Sequence, residues 1–129
     1  MIDHLAIDVS DLKKSGRFYS KALEPLGYKS LMDTAQESGG RLVLGWGDQK
    51  DTDFFIGEGL RSLTRVHIAF RADNRGRVDE FYKAALAAGG KDNGKPGLRP
   101  EYHENYYGAF VLDPDGHNIE AVCHAPQTE

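Results

Sequence analysis

Residues 106–122 read YYGAFVLDPDGHNIEAV and predict a β-hairpin. Its turn is the DPDG run at 113–116, in which proline fixes one backbone angle, the aspartates hydrogen-bond to nearby backbone and the glycine accepts a positive φ. The runs AFVL at 109–112 and NIEAV at 118–122 have strand character and flank this turn. We therefore expect a pair of strands near the end of the sequence.

The second strand of this hairpin carries one acidic residue, Glu120. Because side chains alternate along a strand, Glu120 faces away from Ile119 and Ala121. A carboxylate in such surroundings requires a partner, since burying an unpaired charge is costly. Two candidate partners occur in the strands that open the two halves of the chain.

The chain repeats itself with an offset of 63 residues. His4 and His67 lie at this offset, each within a run of alternating residues, IDHLAIDV at 2–9 and RVHIAFRA at 65–72. An apolar stripe with helical spacing follows each run. This agreement predicts a duplicated βαβββ unit. The other pairs at the same offset are Phe18–Tyr19 with Phe81–Tyr82, Leu23 with Leu86, and Gly27 with Gly90.

Each module is expected to place a helix after its first strand. Ser10 or Asp11 offers an N-cap for the first helix, and Asp73 or Asn74 offers one for the second. Glycines close both helices. The predicted fold class is therefore α+β. The predicted boundaries are 1–129 for a single domain, about 1–60 for module one, about 64–124 for module two, and strands near 28–32, 41–46 and 54–56.

A long loop is predicted at 91–108, KDNGKPGLRPEYHENYYG, which is rich in glycine, proline and tyrosine. Long loops in compact domains commonly form lids or binding loops. We therefore interpret this segment as part of a pocket wall. The residues expected to line that wall are Arg99, Tyr102, His103, Tyr106 and Tyr107.

The composition is that of a globular protein without a nucleic-acid or membrane partner. The chain has 129 residues, of which 40% are hydrophobic and 28% are charged, and its net charge is -4. This charge provides no basic surface for nucleic acid or an anionic membrane. No apolar run approaches the roughly 20 residues of a membrane helix. The lone cysteine, Cys123, and the lack of a signal-peptide pattern favour a cytoplasmic location.

His4, His67 and Glu120 are candidate metal ligands. Both histidines lie on the strand face opposite three large apolar residues, which the helices must cover. The two imidazoles and the carboxylate are then expected to point into one cavity, where they suit a divalent first-row metal and leave coordination positions open. The alternatives are that each histidine is a hydrogen-bonded core residue and that Glu120 pairs with Arg71. The repeat favours the metal, because packing gives no reason for histidine at equivalent positions twice.

The other three histidines are expected to have different roles. His117 in the hairpin turn and His124 near the end of the sequence are predicted to be solvated. His103, in the predicted loop, is expected to contact the substrate or to support the metal ligands.

The runs IDHLAIDVSDL, VHIAF and DPDGHNIEAV, with FY in the first helix, resemble the glyoxalase/bleomycin-resistance/extradiol-dioxygenase superfamily, also called vicinal oxygen chelate proteins. The resemblance covers essentially the whole chain, and the closing DPDG-x-x-(I/L)-E pattern is fairly specific. It implies a cupped mixed sheet with helices on the outer face, built around one divalent ion of Zn, Ni, Mn or Fe. It also implies His4, His67 and Glu120 as the ligands, a small-molecule substrate and a homodimer.

Two departures from the superfamily pattern bear on the metal site. Glyoxalase I-type members carry a fourth ligand on the last strand of module one, and subtracting the repeat offset from Glu120 places that position at Gly57. The nearest carboxylate, Glu58, is out of register by one residue and is expected on the opposite face. Fosfomycin-modifying members carry a threonine where this chain has Ala6. A three-ligand site, similar to that of extradiol dioxygenases, is therefore expected.

The resemblance implies a metal-dependent lyase or isomerase, in which the metal acts as a Lewis acid on two neighbouring oxygens of a small substrate. The alternatives are an Fe(II) extradiol-type dioxygenase and a non-catalytic protein, similar to bleomycin-resistance proteins, that sequesters an aromatic or cationic ligand. The candidate catalytic residues are Glu120, Tyr107 and His103. The residues predicted to line the substrate pocket are Trp46, Phe54, Arg99, Tyr102 and Tyr106.

Overall fold

The computed structural model describes residues 2–38, 41–48, 51–59 and 65–127. They form two modules, each with a strand, a helix and three further strands. Module one contains β1 (Leu5–Val9), α1 (Leu12–Ala22), a short 3-10 helix (Glu24–Leu26), β2 (Lys29–Ser38), β3 (Arg41–Gly47) and β4 (Thr52–Glu58). Module two contains β5 (His67–Arg71), α2 (Arg75–Ala87), β6 (Lys91–Leu98), β7 (Tyr107–Leu112) and β8 (Asn118–Cys123).

The strands form two four-stranded sheets, ordered β1-β4-β3-β2 and β5-β8-β7-β6. In each sheet the first strand of the module runs parallel to the last strand, and the other neighbouring strands are antiparallel. The equal strand order shows that the two modules share one topology. The predicted α+β class and tandem βαβββ modules are thus confirmed.

Both helices begin at predicted caps. The side chain of Asp11 accepts a hydrogen bond from the backbone N–H of Lys14, and that of Asn74 accepts one from Arg77, each at 3.0 Å. These bonds satisfy donors that have no partner within the first helical turn. The described part of the chain contains no helix that is long and apolar enough to cross a membrane. The buried stripes include Phe18, Tyr19 and Ala22 in α1, and Val78, Phe81 and Ala85 in α2.

One face of each sheet lies against the core and the other does not. In β1, Ile7 is buried and Ala6 is exposed, and in β5, Phe70 is buried and Ala69 is exposed. The buried residues belong to a core that also contains residues from both helices. We call the opposite face of each sheet, which carries Ala6 in module one and Ala69 in module two, the open face.

The segment predicted as a loop at 91–108 is largely a strand, because Lys91–Leu98 forms β6. β6 pairs with β7, and its register shifts on both sides of Gly94. Glycine and Pro96 lower the strand propensity of this segment, which is why its sequence favours a loop. Pairing with β7 outweighs that preference, because β6 is an edge strand, where proline and bulges are tolerated.

The DPDG turn joins the two modules through Asp113, which is only 4% exposed. Its Oδ1 accepts hydrogen bonds from the backbone N–H groups of Asp115 at 2.9 Å and His117 at 2.8 Å. Its Oδ2 accepts one from the hydroxyl of Tyr19 in α1 at 2.5 Å. The carboxylate of Asp115 accepts another from the backbone N–H of Ser10 at 3.2 Å. The turn of module two therefore holds the first strand and helix of module one.

The prediction that His117 is solvated is wrong, because this residue is buried. Its Nδ1 accepts a hydrogen bond from the backbone N–H of Val66 at 3.1 Å, and its Nε2 lies 3.4 Å from the carbonyl oxygen of Asp8. Both ring nitrogens of His117 therefore have backbone partners. The position of His117 in a turn suggests solvent, but its partners are distant in sequence and only the packed modules bring them together.

The substitution Tyr19→Phe is expected to make stability less sensitive to alkaline pH. Burial, followed by the charge and hydrogen bond of Asp113, raises the pKa of Tyr19 well above its ordinary value of 10.0. The unfolded chain releases this proton near the ordinary value, whereas the folded chain retains it. The contribution to stability is therefore complete below about pH 10 and is lost as the pH rises toward the folded-state pKa.

Denaturant unfolding at a series of alkaline pH values measures this effect as the slope of the unfolding free energy against pH. We expect a shallower decline in Tyr19→Phe than in the unmodified protein. The control is Tyr102→Phe, which alters a tyrosine that is 62% exposed. Equal slopes in the three proteins would contradict the assignment to Tyr19.

Candidate functional site

The open face of module two carries a histidine–carboxylate pair. β5 and β8 run in parallel, with His67 beside Asn118 and Ala69 beside Glu120. This register places His67 Nε2 2.7 Å from Glu120 Oε1. The side chain of Glu120 is 1% exposed and that of His67 is 53% exposed. The pair is therefore anchored in the sheet through its carboxylate and reaches solvent through its imidazole.

Tyr106 fixes the second oxygen of this carboxylate, because its hydroxyl donates a hydrogen bond to Glu120 Oε2. Gly108 lies beside this bond, since a Cβ at that position would be 3.2 Å from Tyr106 Cε1 and 3.4 Å from the same oxygen. Burial, and then the hydrogen bond and charge of Glu120, raise the pKa of Tyr106 above its ordinary value. The phenol therefore remains a protonated donor at neutral pH.

His4 occupies a separate place on module one. It lies one residue before β1, its side chain is 59% exposed, and its Nδ1 is 2.7 Å from Asp3 Oδ1. Its ring meets that of Phe55 edge-on, with centroids 5.9 Å apart. Within the described ranges, no three histidine, cysteine or acidic side chains are grouped so that they could hold a metal. The structure thus brings His67 and Glu120 together but does not bring His4 to them.

The strand registers correct the position predicted for a fourth ligand. β1 and β4 pair Ala6 with Phe55, and β5 and β8 pair Ala69 with Glu120. The structural equivalent of Glu120 in module one is therefore Phe55, and not Gly57. The offset between the modules is 63 residues from β1 to β5 but 65 residues from β4 to β8. Module two therefore has two more residues than module one between its first and last strands. A phenyl ring occupies the position where a fourth ligand would lie.

His103 and His124 lie together beside Tyr106. The His103 Nε2 is 2.7 Å from the His124 Nδ1, and the two rings are stacked. Their ring centroids lie 5.5 and 5.4 Å from that of Tyr106. Tyr102 also packs on Tyr106, at 4.9 Å. Tyr106 thus connects the buried carboxylate of Glu120 to an exposed cluster formed by Tyr102, His103 and His124.

Arg99 lies over the open face of module two. Its guanidinium is 5.5 Å from the ring centroid of Phe110, which pairs with Glu120 across β7 and β8. The Phe110 ring is in turn 6.1 Å from that of His67. Arg99 therefore shares the side of the sheet that carries the histidine–carboxylate pair.

Tyr107, a predicted catalytic residue, lies on the opposite side of this sheet. Its hydroxyl donates a hydrogen bond to Asp79 Oδ1 in α2 at 2.7 Å, and the guanidinium of Arg75 lies 5.2 Å from its ring. Burial and the Asp79 hydrogen bond raise the pKa of Tyr107 to about 12. The strand β7 begins at Tyr107, so alternation turns this side chain to the helix and leaves Gly108 beside Glu120. The structure does not bring Tyr107 to the candidate site.

Trp46 and Phe54, predicted pocket residues, are buried in the core of module one. They are 1% and 2% exposed, and their rings lie 5.8 and 4.9 Å from that of Tyr19. β3 and β4 pair them directly, so both face α1. The next residue, Phe55, is the aromatic on the open face. Sequence reasoning missed Phe55 and Phe110 because only the strand registers reveal which aromatic residue faces the site.

A cavity of about 570 Å³ lies away from these residues, between the end of α1 and the outer side of α2. It is lined by alanines and Pro25 with a rim of charged side chains. This lining contains no histidine or cysteine. The cavity therefore has no imidazole equivalent to that of His67, which pairs with Glu120 on module two.

The chain is similar to one known family and to several solved structures. The family model described as Glyoxalase/Bleomycin resistance protein/Dioxygenase superfamily matches residues 1–121. A glyoxalase/bleomycin resistance protein from Albidiferax ferrireducens T118 is 27% identical, with a TM-score of 0.71 over 96% of this chain and 98% of that chain. No protein of curated function gives a significant match.

Two further solved structures share the fold at lower identity. The fosfomycin resistance protein FosX from Mesorhizobium loti is 17% identical, with a TM-score of 0.68 over 97% of this chain and 92% of that chain. A glyoxalase I variant from Zea mays is 22% identical, with a TM-score of 0.69 over 94% of this chain and 46% of that chain. This chain therefore spans about half the length of the maize protein.

Proposed function

Because the chain belongs to the glyoxalase/bleomycin resistance protein/dioxygenase superfamily, we propose that it is a divalent-metal-dependent enzyme of the lyase or isomerase type. Its substrate would be a small molecule with two neighbouring oxygens. The observation that supports this proposal is the 2.7 Å approach of His67 Nε2 to the buried carboxylate of Glu120. When bound there, the metal would supply Lewis-acid stabilisation of negative charge on the substrate oxygens.

The donor set fits such a metal. An imidazole nitrogen and a carboxylate oxygen converge on the open face of module two, and both are ligands for Zn, Ni, Mn and Fe. His4, at the equivalent position to His67 in module one, is the proposed third ligand. Two histidines and one carboxylate leave coordination positions open for a substrate.

The third ligand is proposed to come from a second copy of the chain. Within one copy, His4 contacts Asp3 and Phe55 and lies apart from the pair formed by His67 and Glu120. Most homo-oligomers have closed symmetry, and a two-fold dimer in which module one of each copy faces module two of the other would bring His4 to this pair. The proposed functional unit is therefore a homodimer with two equivalent sites.

The surrounding side chains have distinct proposed roles. Tyr106 holds Glu120 in one orientation by donating to Oε2, which leaves Oε1 directed toward His67. His103 is the proposed substrate contact, because its exposed ring packs on Tyr106 while both of its nitrogens have partners, Nδ1 accepting from the backbone N–H of Asn105 at 3.1 Å and Nε2 lying 2.7 Å from His124 Nδ1. His124 orients His103 through the contact between their ring nitrogens.

An Fe(II) extradiol-type dioxygenase is the second candidate, since two histidines and one carboxylate also suit non-haem iron. A protein that sequesters its ligand without a metal is less well supported. Trp46 and Phe54, two of the aromatic residues predicted to line the pocket that would hold such a ligand, both face α1. Tyr102 and Tyr106 are the aromatic residues of that proposal that remain near the open face.

Elemental analysis of protein purified without chelator or affinity metal tests this proposal. We expect about one ion of Zn, Ni, Mn or Fe in each site. Iron, together with oxygen consumption in the presence of a catechol, would assign the dioxygenase. Protein that contains no metal and takes up none on reconstitution would contradict both metal-dependent functions and favour the sequestering protein.

A further inference from the structure

The guanidinium of Arg99 is held in a defined position beside the candidate site. Its Nη2 donates a hydrogen bond to the carbonyl oxygen of Lys95 at 2.7 Å, and its Nη1 donates one to that of Leu98 at 3.5 Å. The ring of Phe110 lies 5.5 Å below it. An arginine stacked on an aromatic ring and bonded to backbone carbonyls is oriented before any ligand binds.

Two glycines of β6 make room for this guanidinium. A Cβ at Gly94 would lie 2.8 Å from Phe110 Cδ1 and 3.3 Å from Arg99 Nη2, and a Cβ at Gly97 would lie 3.2 Å from Nη1. Contacts this short would displace the guanidinium by a few tenths of an ångström. The glycines that lower the strand propensity of β6 therefore also leave space for the guanidinium of Arg99.

Arg99 has no acidic partner among the residues that the structure describes. Arg77, by contrast, pairs with Glu80 at 3.4 Å. The carbonyl groups that hold Arg99 are neutral, so its positive charge is oriented but not neutralised. This charge lies beside the candidate site, because Phe110, on which the guanidinium stacks, pairs with Glu120 across β7 and β8. An uncompensated guanidinium in a fixed position is suited to binding a carboxylate or phosphonate.

We propose that Arg99 binds an oxyanionic group of the substrate, so that the protein acts on small anionic molecules that also carry two neighbouring oxygens. This inference rests on the proposed function, in which the two neighbouring oxygens of the substrate bind the metal held by His67, Glu120 and His4. The anionic group would bind on the side of the guanidinium that faces away from the Phe110 ring. Arg99 would then determine specificity and would take no part in the chemical step.

The test compares three probes with identical neighbouring oxygens, 3,4-dihydroxybenzoate, 3,4-dihydroxyphenylphosphonate and 3,4-dihydroxybenzamide. Isothermal titration calorimetry with zinc-loaded protein measures their affinities. We expect at least one of the anions to bind roughly tenfold or more tightly than the neutral amide, because a charge-assisted hydrogen bond to arginine has about this worth. The stronger of the two anions identifies whether the site prefers a planar carboxylate or a tetrahedral phosphonate.

Arg99→Gln should reduce this preference to about twofold or less, because glutamine can donate a hydrogen bond but carries no charge. Arg75→Gln is the matched control, since Arg75 also stacks on an aromatic ring, that of Tyr107, but lies on the opposite side of the sheet. Equal affinities for the anions and the amide, or a preference that persists in Arg99→Gln, would overturn the proposal.

A second readout separates this inference from the metal proposal. In metal-free protein, the Nε–H resonance of Arg99 should shift on addition of benzoate and should not shift on addition of benzamide. No shift with benzoate would overturn the role of Arg99 even if the protein binds metal normally. Conversely, a shift in protein that never binds metal would retain the anion site and reject the proposed metal-dependent function.

Discussion

Asp113→Ala is expected to lower the free energy of unfolding by about 3 kcal/mol or more, measured by urea denaturation at neutral pH. The buried carboxylate of Asp113 accepts hydrogen bonds from the Tyr19 hydroxyl and from the backbone N–H groups of Asp115 and His117. Alanine would leave these three donors without their acceptor, and each buried unsatisfied donor costs about 1–3 kcal/mol. The loss should be large because one turn secures contacts within module two and between the modules.

Asp113→Asn provides the matched comparison. Its amide oxygen can still accept from the two backbone N–H groups, whereas its NH₂ group cannot accept from Tyr19. We expect a smaller loss of unfolding free energy than in Asp113→Ala. Pro114→Ala, in the same turn, serves as the control for changes that leave the carboxylate intact. A loss below about 1 kcal/mol in Asp113→Ala would show that the turn does not secure the modules in this way.

Glu120→Gln is expected to weaken zinc binding by roughly 100-fold or more, measured by competition with a chromogenic chelator. The substitution removes the only negative charge of the proposed ligand set and places an amide next to His67. His4→Ala should have an effect of similar size, because it removes one of three ligands. Tyr106→Phe should have a smaller effect, of about tenfold, because it removes the hydrogen bond that orients Glu120.

Glu104→Gln controls for the loss of a carboxylate from the same region, since Glu104 is exposed in the loop before β7. It should leave zinc affinity unchanged. Circular dichroism should show that each variant remains folded. Unchanged zinc affinity in folded Glu120→Gln would remove Glu120 from the ligand set.

Much of the fold follows from sequence patterns that repeat or that have a local physical cause. The offset between His4 and His67 identified the two modules, and the DPDG run identified the final hairpin. The helix caps at Asp11 and Asn74 follow from the ability of short polar side chains to satisfy the first backbone donors of a helix. Each of these signals can be recognised within a single helix or hairpin, or by comparing the sequences of the two modules directly.

The fold predictions were wrong where distant residues determine the structure. β6 contains residues of low strand propensity, and its strand forms because β7 pairs with it. His117 is buried because module one supplies a partner for its ring, which no feature of the turn indicates. The equivalence of Glu120 with Phe55 emerged only from strand registers, because a constant offset ignores the two additional residues of module two.

The candidate site was predictable in part. Alternation along β5 and β8 placed His67 and Glu120 on one face, and the structure brings them into contact. Tyr106 was expected near the site on composition alone, whereas its hydrogen bond to Glu120 depends on the path of the loop before β7. Trp46 was misassigned because aromatic character does not reveal which side of a strand a residue faces. Tyr107 was misassigned for the same reason.

The most direct test of the proposed metal site is the zinc content of dimers formed from an equal mixture of His4→Ala and Glu120→Gln chains. Each variant alone should bind almost no zinc. In the mixture, half of the dimers should contain both variants, and each mixed dimer should have one intact site, with His4 from one copy and His67 and Glu120 from the other. Random pairing therefore predicts zinc in about a quarter of all sites. A mixture that binds no more zinc than the separate variants would contradict a site shared between two copies of the chain.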